Sequence, residues 1–177
     1  LTICDQPLKV IVGNTFQLPN LEELFIHRNQ LHDISGLTGC PRVRKLWVFQ
    51  NQLHDIQGIQ ALSCLEELWI QSNKVHELGG LKLCRNLVNL SIAGNPISDF
   101  AEVRKLRSLT QLRSLTMNDV HFGKCPLANE SIYRDFVINT LKTLSLLDDV
   151  QVTKDKVSRA TDMYGMEVSK FLDEMHH

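Results

Sequence analysis

Apolar residues return along this chain at a fixed interval. Leu21, Leu24, Ile26, Leu31 and Ile34 recur as Val43, Leu46, Val48, Leu53 and Ile56, then as Leu65, Leu68, Ile70, Val75 and Leu78, and again as Leu87, Leu90, Ile92, Ile97 and Phe100. The step is 22 residues each time, and Asn29, Asn51, Asn73 and Asn95 keep the same phase. The alternation at Leu24 and Ile26, copied in each unit, predicts a short strand with one buried face. One such unit cannot bury its apolar side alone, so the units are expected to stack with their strands in parallel, as a curved solenoid. Each Asn stands where the chain turns away from its strand. Its side chain is expected to satisfy open backbone groups there, and the four amides to stack as a mutually hydrogen-bonded ladder. Gly36, Gly58 and Gly80 precede Leu37, Ile59 and Leu81 and are expected to permit tight bends.

The pattern is irregular at both ends. Leu1, Ile3, Leu8 and Ile11 match Leu24, Ile26, Leu31 and Ile34, with Gln6 in place of Asn, so the chain enters partway through a repeat. The missing first strand is expected to mean either a longer parent protein or an edge protected by something else. After Asn95 the period breaks. Asp99 with Glu102 reads as a helix start, and Phe100, Val103 and Leu106 as the helix's inner face, within an insertion at about 99–111. The repeat resumes at Leu112, Leu115 and Met117, with Val120 where Asn is due. Residues 1–120 are thus read as repeats and 121–152 as a C-terminal cap. The cap is predicted to hold a loop over 121–129, a helix bearing Ile132, Tyr133, Phe136 and Val137, and a last strand of Leu141, Leu144 and Leu146. From 153 to 177, Val157, Ala160, Tyr164, Val168, Phe171 and Leu172 predict an amphipathic helix, and His176-His177 reads as a purification-tag remnant.

Composition narrows the function. The 177 residues include 27 Leu but only 6% aromatics, as layers filled by Leu, Ile and Val require. A net charge of −1 gives no general attraction to nucleic acid or to anionic membranes, and no apolar run reaches a membrane span. Five cysteines without close pairs do not make a disulfide framework or a zinc site, which favours a reducing compartment. No glycine-rich phosphate loop, nucleophile elbow or HExxH motif occurs, and no enzyme, metal or cofactor is expected.

The LxxLxLxxN unit resembles that of a leucine-rich repeat. The chain resembles the 22-residue class typified by the leucine-rich regulatory subunit of protein phosphatase 1. Tyr133-Arg134, Val137-Ile138, Leu141, Leu144, Leu147-Asp148 and Val152 resemble the cap motif that closes this class, without its usual Pro after Leu141. The block from Asp99 to Asp149 is more narrowly similar to the leucine-rich-repeat-containing protein 9 family. The resemblance implies an α/β fold, a right-handed leucine-rich repeat solenoid (a horseshoe) with a parallel concave sheet and a helical C-terminal cap. It also implies a non-catalytic protein-protein interaction module or scaffold in a cytoplasmic setting, cytoskeletal and ciliary ones included. An extracellular setting stays open.

Strand alternation turns the side chains between the repeated leucines towards the concave face. The middle position of successive strands carries Phe25, Trp47, Trp69, Ser91, Thr116 and Ser145, and the position two residues on carries His27, Phe49, Gln71, Ala93 and Asn118. Phe25, Trp47, Phe49 and Trp69 are therefore expected as a contiguous patch of rings reaching solvent, a surface that suits a partner protein. His27, Glu23, Arg44, Lys45, Glu67 and Gln71 would form its rim. The opposing reading is that the rings only pack on each other, and that Glu22-Glu23, Arg44-Lys45 and Glu66-Glu67 neutralise one another across strands. Two alternatives stand beside a protein partner of unknown identity: a homodimer closed on the rings, or a non-protein ligand such as a microbial surface glycan. The series His32-Asp33, His54-Asp55 and His76-Glu77 is read as a solvated edge, because parallel layers do not converge on a metal.

Overall fold

The computed structural model describes residues 1–11 and 17–163. Each Leu-x-Leu core forms one three-residue strand: β1 (Glu23–Phe25), β2 (Lys45–Trp47), β3 (Glu67–Trp69), β4 (Asn89–Ser91) and β5 (Ser114–Thr116). Leu24, Leu46, Leu68, Leu90 and Leu115 align in register across the parallel pairs, which fixes the inward face of every layer. The partial repeat joins the same sheet edge, since Ile3 N–H donates to Phe25 O (2.8 Å) and Phe25 N–H to Leu1 O (2.9 Å). Among the described residues the curved sheet has seven strands, ending with β8 (Leu146–Leu147), parallel to β5, and β9 (Val150–Gln151), antiparallel to β8. Return segments run through 3-10 turns such as Ser35–Gly39 and Gly79–Leu83, and bury Leu37, Ile59 and Leu81 on the far side of one continuous core.

The asparagine ladder exists, but its amides do not bond one another. Asn73 Nδ2 donates to Ile70 O (3.0 Å) in its own unit and to Val48 O (3.1 Å) in the unit before, while its Oδ1 accepts from Leu53 N–H (3.0 Å). Asn51 and Asn95 repeat the scheme. Backbone groups at the turn are closer and more numerous than the neighbouring amide, so each side chain rivets two layers of main chain together. The residue before each ladder position is left-handed: Asp5, Arg28, Gln50, Ser72 and Gly94 have φ between 50° and 68°. That conformation is unfavourable for most side chains, and the cross-layer bonds of Arg28 N–H to Phe49 O (3.0 Å) and Gln50 N–H to Gln71 O (2.9 Å) hold it in place. Of the three return-segment glycines, only Gly58 has a positive φ (+98°), with Ile34 O where a Cβ would sit. Gly36 and Gly80 make their bends without it.

Asp99 caps α1 (Phe100–Lys105) by accepting from Ala101 N–H (2.7 Å). Glu102 does not close a reciprocal box. It reaches Leu78 N–H (2.8 Å) and Lys105 Nζ (2.6 Å), joining the helix to the preceding layer. After Met117 the predicted loop contains a hairpin, β6 (Asn118–Asp119) and β7 (Gly123–Lys124), and a 3-10 turn at Pro126–Asn129. The chain re-enters the core at Cys125, whose thiol donates to Ile92 O (3.3 Å), the carbonyl that the next ladder amide would take. In the cap, α2 (Tyr133–Thr140) packs Phe136 against Phe100. Asp148 is the hub: it accepts from Met117 N–H (2.9 Å), Asn118 N–H (3.0 Å), Tyr133 OH (3.0 Å) and Arg134 Nη1 (3.0 Å). Burial, and then the Asp148 carboxylate, push the Tyr133 phenol far above its ordinary range. The last strand is displaced by one residue from the expected Leu146. Leu147 is buried opposite Leu115 and Leu146 is exposed, so Ser145 is not a member of the concave column. Residues 154–163 are helical, with Ala160 fully buried; Tyr164, Val168, Phe171 and Leu172 lie outside the described residues.

Candidate protein-binding surface

Three side-chain columns cross the concave face because each strand turns alternate residues outward and the register never slips between β1 and β4. The first is Glu23, Lys45, Glu67, Asn89 and Ser114; the second is Phe25, Trp47, Trp69, Ser91 and Thr116. Just beyond the strands lie His27, Phe49, Gln71 and Ala93. The rings stack along the columns. Trp47 and Trp69 are nearly parallel (12°) with centroids 4.6 Å apart, Phe25 tilts against Trp47 at 4.6 Å, and His27 lies flat on Phe49 at 4.2 Å. Each of the four large rings is half-buried rather than open, since its neighbours cover part of it. The stacked reading of the rings and the exposed reading therefore each describe one part of the surface. Burial lowers the His27 pKa below its ordinary 6.5, and the Arg28 charge lowers it further.

The flanking charges are engaged with each other. Lys45 Nζ meets Glu23 Oε1 at 2.8 Å, a bond that holds Glu23 below the usual carboxylate range and Lys45 above its own. Arg44 grips Glu66 with two parallel bonds (3.0 and 2.9 Å). These pairs are about half exposed and contribute little to stability. Glu67 accepts from Trp47 Nε1 (2.8 Å), which fixes the tilt of that indole.

The sequence reading missed Phe122. In the hairpin, Asp119 Oδ1 accepts from His121 N–H (2.7 Å) and Phe122 N–H (3.0 Å), and this tight turn drives the Phe122 ring against Phe49 (5.3 Å, edge-on). Ser72 Oγ donates to Phe122 O (3.4 Å), and Gly94 lies so close to that carbonyl that a Cβ would collide with it. A glycine at the left-handed position, where the other units carry side chains, was the available signal. Gln71, expected on the open rim, is only 3% exposed beside this hairpin. Past Trp69, where the second column shrinks to Ser91 and Thr116, the face opens into a depression of about 430 Å³ walled by Trp69 and Phe122.

The histidine series lies elsewhere. His32, His54 and His76 are exposed, and their neighbours close local turns: Asp33 accepts from Ser35 N–H (2.7 Å) and Asp55 from Gln57 N–H (3.0 Å). The five cysteines form no disulfide among the described residues; burial raises Cys84 and Cys125 to about 11. No helix among the described residues is long and apolar enough to cross a membrane.

Stacked 22-residue units, a shared parallel sheet and an asparagine ladder define a solenoid repeat protein. A family profile described as leucine-rich repeat matches residues 45–174, and another, leucine-rich repeats in two copies, matches residues 19–60. The chain belongs to the leucine-rich repeat family. Solved structures agree in fold. A chain of the SNF/U2A' complex of Drosophila melanogaster is 18% identical, with a TM-score of 0.63, over 96% of this chain and 85% of that one. A leucine-rich repeat protein of Leptospira interrogans is 23% identical (TM-score 0.61; 82% of this chain, 38% of that one). An internalin (InlF) of Listeria monocytogenes is 26% identical (TM-score 0.53; 73% and 41%). This chain thus spans about two-fifths of either bacterial protein. No curated protein matches it.

Proposed function

We propose that the chain is a non-catalytic recognition module that binds a partner protein through the ring columns of its concave face. Leucine-rich repeat domains generally mediate protein-protein interaction rather than catalysis. The observation that carries the finer reading is the placement of Phe25, Trp47, Trp69 and Phe49 as one half-exposed patch on an otherwise polar face. The inward positions are filled by Leu, Ile and Val, so these rings are not needed to complete the core. Aromatic anchors of this kind dominate interface energetics, at about 2 kcal/mol or more each. His27, Glu23, Arg44, Lys45 and Glu67 form the rim, and pairs already made there cost little to expose to a partner. The cap hub at Asp148 supports a place in the phosphatase-regulatory class, and cysteines held as thiols rather than disulfides support a cytoplasmic setting. The structurally similar chain of the SNF/U2A' complex is itself seen in an assembly.

The test is quantitative capture from source cells with wild type and a Phe25→Ala/Trp47→Ala/Trp69→Ala variant whose circular dichroism is checked first. Partners enriched by wild type should be lost by the variant. Undiminished retention would overturn the reading. Sedimentation across a concentration range separates the homodimer alternative.

A further inference from the structure

We infer that the depression beyond Trp69 is an arginine pocket, taking the guanidinium of a partner protein's arginine flat against that indole. The inference rests on the proposed recognition role of the concave face and names the chemistry of one contact within it. Trp69 has one face stacked on Trp47 at 4.6 Å. On its other side the same column carries Ser91, so no ring continues the stack, and Trp69 itself lines the cavity. The depression of about 430 Å³ has the volume for a planar group beside that ring.

Charge selects its sign. Glu67, Asp119 and Asp149 line the depression together with His121, and no Lys or Arg does among the described residues, whereas Glu23 and Glu66 outside it are each paired with a base. Gln71 and Ser91, which line the depression and are 3% and 8% exposed, each hold a buried oxygen (Gln71 Oε1, Ser91 Oγ) with no hydrogen-bond partner among the described residues. A buried oxygen that accepts nothing is costly and calls for a donor. The required ligand is therefore flat, cationic and rich in donors. Guanidinium has five N–H donors in one plane, no acceptor, a permanent charge and a preference for stacking on aromatic faces. An ammonium supplies the charge but not the plane, and an anion or an apolar group leaves the wall unsatisfied.

Three substitutions remove the charge and keep the local bonds. Glu67→Gln retains an oxygen for Trp47 Nε1, Asp119→Asn retains the acceptor that caps His121 and Phe122, and Asp149→Asn places a residue that tolerates the left-handed backbone there (φ 58°). The probes are N-acetyl-arginine amide and N-acetyl-citrulline amide, which share shape and planarity but not charge. Binding is read from the Trp69 indole N–H resonance. Wild type should bind the arginine probe saturably and the citrulline probe about tenfold or more weaker, the scale of a lost charge-assisted contact. The triple variant should lose that preference while its thermal midpoint stays unchanged. Equal binding of both probes, or no saturable shift of Trp69 by the arginine probe, would overturn the pocket. The ring-variant capture experiment answers separately: partner loss there without arginine binding here leaves the recognition role standing and removes this inference alone.

Discussion

Asn73→Ala tests whether the ladder holds the layers together. The residue is 7% exposed and makes four side-chain bonds. Their loss is unequal. Val48 O, Ile70 O and Gln71 O each keep a second donor, from Asn51, Asn95 and Gln50 N–H respectively, so each forfeits one bond of about 0.5–1.5 kcal/mol, the 3.3 Å bond to Gln71 O at the low end. Leu53 N–H keeps nothing and is stranded in the core, at about 1–3 kcal/mol. The sum is on the order of 4 kcal/mol, against a typical total of roughly 5–15 kcal/mol. Asn29→Ala is the control. It makes equivalent bonds to Ile3 O and Ile26 O, but at a half-buried, water-reachable edge, and about 1 kcal/mol is expected. Urea unfolding followed by far-UV circular dichroism and Trp fluorescence should place the Asn73→Ala midpoint about 2 M below wild type for an m-value of about 2 kcal/mol/M. The Asn29→Ala midpoint should fall by about 0.5 M on the same slope. Equal shifts for the two variants would refute the claim that buried amide-to-backbone bonds, rather than apolar stacking alone, couple the layers.

Two further outcomes follow from the concave face. Gly94→Ala meets both a positive φ (+68°) and the Phe122 carbonyl, so it should lower stability by about 1–3 kcal/mol and break the Phe122–Phe49 ring contact in NMR spectra. His27 has a native pKa below 6.5, so the unfolded chain binds its proton more readily; the His27 contribution is full above pH 6.5 and is lost as pH falls through the native value. Stability measured from about pH 7 to about pH 5 should accordingly decline less steeply in His27→Gln than in wild type, and parallel profiles would remove His27 as the titrating group.

The regular part of the fold was legible because one physical demand repeats. Each unit must bury the same stripe, so Leu24, Leu46, Leu68 and Leu90 announce both their strands and their register. The ring columns followed from strand alternation alone. Their degree of burial did not, since it depends on how indoles tilt and on a hairpin with no periodic signature. The position of the last strand was lost for the same kind of reason: with Leu144, Leu146 and Leu147 all apolar, period-2 alternation cannot say which of the last two faces inward, and pairing with β5 chooses Leu147. At the ladder, spacing located the amides correctly, but only coordinates distinguish bonds to backbone from bonds between amides.

The hairpin that follows Met117 builds the candidate pocket, and the ladder is repaired around it. With Val120 in the due position, 93% exposed, an asparagine rung is missing after Asn95. Cys125 Sγ takes Ile92 O from below, and Asp148 takes Met117 N–H and Asn118 N–H from the cap side, so the groups opened by the departing chain are met by residues at either end of the detour. The hairpin between them carries no ladder rung and is tied to the repeats through Ser72 and Phe49. Its Asp119 and Phe122 instead stand over the concave face, opposite the one step where the ring column gives way to Ser91 and Thr116. A chain that needed only to continue its stack would carry asparagine here. The added residues instead line the depression beyond Trp69 with Asp119, His121 and Phe122.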